Sequence, residues 1–395
     1  MFQEKIRKSI SLFFEKADQL GEYLTDHPEI SGQEAESCKF ITGFLEEQGY
    51  EIIAPITDMP YSFLAIDKKR KDFAGKKAAF LCEYDALPEV GHACGHSYSC
   101  AISILGALAL RDAYPELPMR IDLIGTPGEE FVGGKCYMTE RGAFDEYEYA
   151  AMIHLYNQNT TYFEILASND RYFTFHGKAA HASAFPEKGR NALNAARLYM
   201  EAMDMWRQHI TKDCQFHGIV VKGGEAPNIV PEEVSLDYYY RAATLENLWN
   251  LNKISETCAQ GAAMATGTTV EWEQRYPDYG EIYWNEYMDE FMKGLFRNVG
   301  RELQPSPGPG GSSDIGNVNM RIPVFHPLLD ITDCDKNCVV HSVGFEKLLH
   351  TPAAKKALHD GAHIMAELAY RLAVEPEYLI QMKKDHARYR KLKVD

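Results

Sequence analysis

The sequence predicts a mixed α/β protein in which a compact second domain is inserted into a larger α/β domain. Two observations predict this fold class. Short apolar segments of strand length alternate with helical patterns early in the chain, and the order of elements changes in the middle. With 395 residues, the chain is long enough for two or three domains and a large core.

Residues 1–50 are predicted to be helical, because apolar residues recur there at helical spacing, as in Ile6, Ile10 and Phe13. Apolar runs of strand length follow at 78–82, 121–124 and 150–153, and a helical pattern at 101–113 separates the first two. This alternation predicts a parallel sheet with helices on its faces.

Polar side chains follow each of these predicted strands. Asp85 comes after the first, Glu129 and Glu130 after the second, and His154 after the third. Ligands of open α/β sheets bind outside the carboxyl ends of the strands. We therefore expect these four residues to meet at one edge of the sheet.

The middle of the chain has a different pattern. Predicted strands at 171–176, 216–221, 234–240 and 268–272 alternate with helices at 192–205 and 245–263. The order β-α-β-β-α-β is typical of the ferredoxin-like unit. We predict a discontinuous main domain, residues 1–166 and 279–395, and an inserted domain, residues 167–278.

Composition excludes several classes of function. Lys and Arg number 41 and Asp and Glu 57, so the net charge is −16, which disfavours binding to nucleic acid. A membrane span would need about 18 consecutive apolar residues, and none occur. Nine scattered cysteines and the lack of a signal-peptide pattern predict a reduced, cytoplasmic protein.

The segment GHACGH contains the strongest chemical signal from the residues themselves. Cys94 and His96 are good ligands for zinc and similar ions, and flanking glycines allow a tight loop. Adjacent Glu129 and Glu130 suit a division in which one binds metal and the other transfers protons. Taken alone, such an acidic pair is more often a helix start favoured by the helix dipole. Together with Cys94, His96 and His154 it favours a metal site.

Other motifs give weaker signals. HDGAH places His359 and His363 one helical turn apart, but Gly361 weakens the helix and Asp replaces the usual Glu, so we interpret the pair as structural. Cys334, Cys338 and His341 lack the second close pair of a zinc knuckle. The glycine-rich loop PSPGPGGSSD lacks the ending of a phosphate loop but could shape a pocket with its backbone amides.

Ordered motifs along nearly the whole chain resemble the aminoacylase/carboxypeptidase G family, metallopeptidase family twenty. They are CEYDALP, GHACGH, GTPGEE, HLYN, GKAAHASAFPEKGRNAL, GGEAPNIVP, YYYRA, GSSDIGN and HSVGF. The branch that they resemble contains p-aminobenzoyl-glutamate hydrolase and aminoacylase-like dipeptidases. The resemblance implies a phosphorylase/hydrolase-like metallopeptidase domain with an inserted ferredoxin-like lid, which also mediates dimerisation.

The resemblance also assigns roles to residues. It implies general-base chemistry at Glu129, support of a metal ligand by Asp85, a contact of His181 with the scissile carbonyl, and substrate contacts by Asn228 and Arg241. It implies a set of metal ligands made of Cys94, His96, Glu130, His154 and His341. We expect two divalent ions per chain, zinc or manganese with cobalt or nickel as alternatives, and Cys94 is our candidate for a bridging ligand.

Two positions depart from the pattern of the family. Ser97 stands where related sequences usually have Asp or Asn, and Glu83 stands where other branches have a histidine ligand. We expect Glu83 to bind no metal directly.

The predicted function is hydrolysis of an amide bond in an N-acyl, aryl or dipeptide substrate, with release of an amino acid that has a free carboxylate. The expected assembly is a homodimer through the inserted domain, and His181 acts within one chain or across subunits. A metal-independent hydrolase that uses Cys94 and a non-catalytic ligand-binding relative are the alternatives.

Overall fold

The computed structural model describes residues 2–283, 285–333 and 338–394, and their side chains as far as residue 389. The chain divides into two compact units. The first comprises Met1–Glu164 and Ile282–Asp395, and the second Ile165–Glu281. These limits lie within a few residues of the boundaries that the sequence predicts.

Eleven α-helices and twelve strands occur in the described residues. In chain order they are α1 (Phe2–Asp26), α2 (Ala35–Glu47), β1 (Tyr50–Ile53), β2 (Phe63–Asp67), β3 (Lys76–Cys82), α3 (His96–Ala113), β4 (Met119–Gly125), α4 (Gly134–Glu140), β5 (Ala150–Ala151), β6 (His154–Tyr156), β7 (Ala167–His176), α5 (Ala192–Trp206), β8 (Gln215–Lys222), β9 (Glu233–Ala242), α6 (Leu245–Thr266), β10 (Thr269–Glu273), α7 (Glu286–Asn298), α8 (Ile315–Asn319), β11 (Val324–Phe325), β12 (Leu328–Asp330), α9 (Val343–Leu348), α10 (Pro352–Val374) and α11 (Pro376–Val394).

A six-stranded sheet of order β1-β2-β4-β3-β5-β11 forms the centre of the first unit. Strands β4, β3, β5 and β11 are parallel, as the sequence predicts. Strands β1 and β2 add an antiparallel edge that the sequence patterns did not predict. Their short, mixed segments lack the long apolar run that marks a strand buried on both faces.

Two predicted boundaries near the site were wrong. The predicted strand at 150–153 ends after Ala151, and His154 begins the separate strand β6, which pairs with β12. The helix predicted at 101–113 begins at His96, because its first turn is polar and escapes an apolar pattern. Helix α3 is buried along most of its length and packs against α1 and α10.

The second unit has the predicted order β7-α5-β8-β9-α6-β10. Its four-stranded antiparallel sheet has the order β10-β7-β9-β8. Helices α5 and α6 pack against each other and against β9. This arrangement confirms the ferredoxin-like domain. Among the described residues of the whole chain, no helix is long and apolar enough to cross a membrane.

Candidate metal centre

The loop between β3 and α3 places Cys94 and His96 in the interior of the first unit. Gly95 precedes α3 with a φ of 79°. A side chain there would lie 2.8 Å from Cβ of Leu155, so only glycine combines the required backbone conformation with the available space. Cys94 and His96 are both buried.

Hydrogen bonds fix the orientation of two imidazole rings. Nδ1 of His96 lies 3.0 Å from the carbonyl oxygen of Asp85 and 3.1 Å from its Oδ1. Nδ1 of His154 lies 2.7 Å from the carbonyl oxygen of Leu155. Each ring therefore presents Nε2 for another contact, as histidine ligands of metals do. The two rings meet edge to face with 5.3 Å between their centroids.

The loop after β4 carries the two glutamates. Oδ2 of Asp85 accepts a hydrogen bond of 2.9 Å from the backbone N–H of Glu130, so one carboxylate supports both His96 and the glutamate loop. The side chain of Glu34, which sequence reasoning missed, accepts a hydrogen bond of 2.8 Å from the backbone N–H of Gly128. A glutamate between two helices gives no sequence signal for this bracing role.

Four of the predicted ligands come together in two overlapping groups. Cys94, His96 and Glu130 form one, and Glu83, His96 and His154 form the other, with the candidate ligand atoms of each group within 4.8 Å of one another. Among the described residues, Nε2 of His96 and Oε1 of Glu130 are buried without a hydrogen-bond partner. Buried polar atoms are rarely left so. Sulfur, nitrogen and oxygen donors that converge in this way fit a divalent cation of the zinc type.

The charges of the site are unbalanced without a cation. Burial and the nearby Glu130, Glu129 and Asp85 carboxylates raise the pKa of the Cys94 thiol well above its usual range. Burial and the Glu130, Glu83 and Asp314 carboxylates likewise raise the pKa of Glu129. The acidic surroundings thus oppose a free thiolate at Cys94, as expected from the sequence. A bound cation would reverse both effects.

A buried ion-pair cluster adjoins the site, and sequence reasoning missed it. Nζ of Lys135 lies 2.5 Å from Oε1 of Glu83 and 2.7 Å from Oδ1 of Asp314, and all three side chains are almost completely buried. The backbone N–H of Lys135 donates to Oδ2 of Asp314 at 2.8 Å. Asp314 ends the loop PSPGPGGSSD, so this loop contributes a side chain as well as its backbone.

His326 is a second residue that sequence reasoning missed. It is buried next to His154, with 5.7 Å between the ring centroids, and neither of its ring nitrogens has a hydrogen-bond partner among the described residues. Burial lowers the pKa of His326 to about 4, so the ring is neutral. The segment FHP between β11 and β12 carries no motif that would have marked it.

His341 belongs to neither group. Its side chain is exposed, and its backbone has a φ of 63°, a region that only some residues tolerate. The backbone N–H of His341 donates a hydrogen bond of 3.0 Å to the carbonyl oxygen of Ala93, beside Cys94. Its role as a ligand stays a prediction. Cys334 lies outside the described residues.

The remaining predicted site residues lie in the second unit. His181 and Asn228 are exposed and adjacent, because His181 forms a β-bridge with Ile229 and the backbone N–H of Ala182 donates to the carbonyl oxygen of Asn228. Arg241 is partly buried on β9, opposite Ser168 of β7 and Gln215 of β8. Their predicted roles are untested by these positions.

The comparisons with known proteins agree with this geometry. The chain is 32% identical over 396 residues to a mouse protein described as Xaa-Arg dipeptidase, covering 96% of this chain and 91% of that one. Residues 171–263 match the peptidase dimerisation domain family. The chain belongs to the M20 peptidase family. It is therefore a hydrolase of peptide or amide bonds in a metal-dependent family.

Other members of the M20 family share parts of the chain. One of the two p-aminobenzoyl-glutamate hydrolase polypeptides of Escherichia coli is 28% identical over 278 residues, covering 64% of this chain and 56% of that one. A dinuclear metal-binding M20 peptidase of Bacillus subtilis has a similar fold, with a TM-score of 0.66, 21% identity, and coverage of 90% of this chain and 99% of that one. These relatives confirm the fold class and the class of reaction predicted from the sequence.

Proposed function

We propose that this chain is a two-metal dipeptidase or N-acyl-amino-acid hydrolase that releases an amino acid with a free α-carboxylate. The observation that carries the proposal is the convergence of Cys94, His96, Glu130 and His154, with buried and unpartnered donor atoms, beside Glu129. Two overlapping ligand groups support a centre for two ions. Zinc or manganese suits this mixture of sulfur, nitrogen and oxygen donors.

The substrate class is proposed from charge and from relatives. A net charge of −16 attracts cationic substrates, and the mouse relative is described as acting on dipeptides that end in arginine. We propose dipeptides with a basic carboxy-terminal residue as the first class to test, and N-acyl or aryl amino acids as the second.

The residues of the chain divide the chemistry between them. Divalent ions held by these ligands supply Lewis-acid polarisation of the scissile carbonyl and activate water. Glu129 accepts a proton from the attacking water and delivers it to the leaving amine nitrogen. Asp85 holds the ring of His96 and the backbone of Glu130 in place, which keeps two ligands aligned during turnover.

The second unit completes the proposal by forming a homodimer. Strand β8 lies at the edge of its sheet and exposes Ile219, Val220 and Val221, by 66%, 46% and 50%. An exposed apolar edge strand is a template for pairing with another chain, and a two-fold axis would pair β8 with its own copy. Ile219→Lys should yield monomers in analytical ultracentrifugation.

Metal removal tests the proposed chemistry. The purified chain is dialysed against a chelator and assayed for amino-acid release from basic dipeptides, N-acyl amino acids and p-aminobenzoyl-glutamate. We expect activity to disappear and to return when zinc or manganese is added. Activity that survives in chain shown to be free of metal would instead favour a hydrolase that uses the Cys94 thiol.

A further inference from the structure

We infer that Glu83 is itself a metal ligand, through one carboxylate oxygen, and that the buried ammonium of Lys135 positions it. Glu83 is outside the set of ligands that the sequence predicts, which places it as a residue without direct contact to metal. The inference rests on the proposed metal centre, and it adds a ligand and a positioning residue to that centre.

The spacing of the donor atoms supports direct ligation. Oε2 of Glu83 lies 3.4 Å from Nε2 of His96, and both atoms lack a hydrogen-bond partner among the described residues. Zinc binds nitrogen and carboxylate oxygen at about 2.0–2.2 Å, so two ligands at a tetrahedral angle lie about 3.3–3.5 Å apart. The two atoms thus have the separation of neighbouring ligands on one ion. His154 completes the group of three.

Lys135 determines which oxygen of Glu83 is available. Its ammonium contacts Oε1 at 2.5 Å, whereas Oε2 is directed to His96. Asp314 holds the same ammonium from another side at 2.7 Å. Because a buried ammonium needs such partners, Lys135 has little freedom to move, and the orientation of Glu83 is fixed with it.

A simpler interpretation is that Glu83 only balances the charge of Lys135. Asp314 provides the internal comparison, because it contacts the same ammonium, is equally buried, and belongs to neither group of candidate ligands. If charge balance were the whole role, Glu83 and Asp314 would be equivalent with respect to metal.

The test compares Glu83→Gln with Asp314→Asn. Each substitution removes one carboxylate charge from Lys135 and keeps the size of the side chain. Metal affinity is measured by competition with a chromophoric chelator, using zinc, and the ligand field by the visible absorption of the cobalt-loaded chain. We expect Glu83→Gln to weaken one ion by more than about 100-fold and to alter the cobalt spectrum. Asp314→Asn should weaken both ions by less than about tenfold and leave the spectrum unchanged.

Equal effects of the two substitutions on affinity and spectrum would overturn the inference. The proposed function fails separately, if the unsubstituted chain binds no metal. Should Glu83→Gln fail to fold, as circular dichroism would reveal, a crystal structure of the unsubstituted chain with zinc decides the question. We expect an ion about 2.0–2.2 Å from Oε2 of Glu83. Zinc held without contact to Glu83 would overturn the inference.

Discussion

The candidate residues of the first unit are buried and connected, whereas those of the second unit are mostly exposed. Asp85 links His96 to the loop of Glu130, and Lys135 links Glu83 to Asp314. His181, in contrast, accepts only long contacts of 3.3–3.4 Å from its own turn, from the backbone of Ser183 and Ala184 and the hydroxyl of Ser183.

This difference separates two kinds of preparation for catalysis. A metal centre needs ligands held in place before the ion arrives, and buried hydrogen bonds provide this. Residues that contact the substrate can remain solvated until binding brings them to it, because remote binding energy can drive that step. Each prediction below tests one side of this contrast.

The largest effect is expected in the buried centre, at Glu129. Glu129→Gln keeps the size of the side chain but cannot accept the proton of the attacking water. We expect turnover to fall by about 10²–10⁴-fold, since this is the usual contribution of general acid–base catalysis. Steady-state kinetics give the loss, and elemental analysis should find the metal content unchanged.

Glu130→Gln is the matched control, because the neighbouring residue has the same side chain and a different predicted role. It should lose metal affinity, and its activity should recover partly at high concentrations of metal. If Glu129→Gln also lost metal, or if it kept near-normal turnover, the division of roles between the two glutamates would be wrong.

The next effect concerns the exposed side of the contrast, at His181. If His181 donates to the developing oxyanion, His181→Ala should lower turnover by about 10²–10³-fold, with metal content unchanged. A residue that only stabilises its turn would change the thermal unfolding temperature and leave turnover nearly intact.

Mixing the inactive variants His181→Ala and Glu129→Gln asks which subunit supplies the histidine. Recovered activity would mean that His181 acts across the subunits of a dimer. If the mixture stays inactive although the protomers exchange, as mass spectrometry of labelled chains can show, His181 acts within its own chain.

The same contrast explains how much of the site could be predicted from the sequence. Cys94, His96, Glu130 and His154 stand in short motifs or just after strand-like runs, so their convergence followed from topology. Glu34, Lys135, Asp314 and His326 lie outside those motifs or carry no pattern of their own. The pairing of Lys135 with Asp314 joins α4 to the residue before α8, and no local pattern encodes such a contact.

The fold shows the same limit. The inserted domain was predicted element by element, because its strands and helices carry clear periodicity and alternate regularly. The antiparallel edge made of β1 and β2 was missed, because short strands at the edge of a sheet carry little hydrophobic signal. Helix α3 begins earlier than predicted because Gly95, and not an apolar residue, sets its start.

A smaller effect is expected at Arg241 in the second unit. If its guanidinium binds the α-carboxylate of the substrate, Arg241→Ala should raise KM about 10–100-fold for a free acid and much less for the corresponding amide, since charge-assisted hydrogen bonds contribute about 1.5–3 kcal/mol. Arg171→Ala is the control in the same sheet, because Arg171 pairs with Glu256 at 2.8 Å. Equal losses on acid and amide in Arg241→Ala would assign the residue a structural role.

The smallest effect is expected at Ser97, where the chain departs from the pattern of its family. Its hydroxyl lies 2.8 Å from that of Thr25, which in turn donates to the carbonyl oxygen of Gly21, so the first turn of α3 is tied to α1. Ser97→Ala should lower the free energy of unfolding by about 0.5–1.5 kcal/mol, the net contribution of one hydrogen bond. Urea unfolding of the metal-free chain measures it.

Ser97→Asp restores the type of residue that related sequences have, and it separates the two uses of this position. Here it should destabilise the chain more than Ser97→Ala, because a buried carboxylate next to Thr25 has no cationic partner in the contacts of Ser97. Metal affinity should change by less than about tenfold in both variants, because Asp85 and not Ser97 holds the ring of His96. A large gain in metal affinity in Ser97→Asp would show that position 97 still supports the metal loop, and that this chain has weakened its centre by carrying serine there.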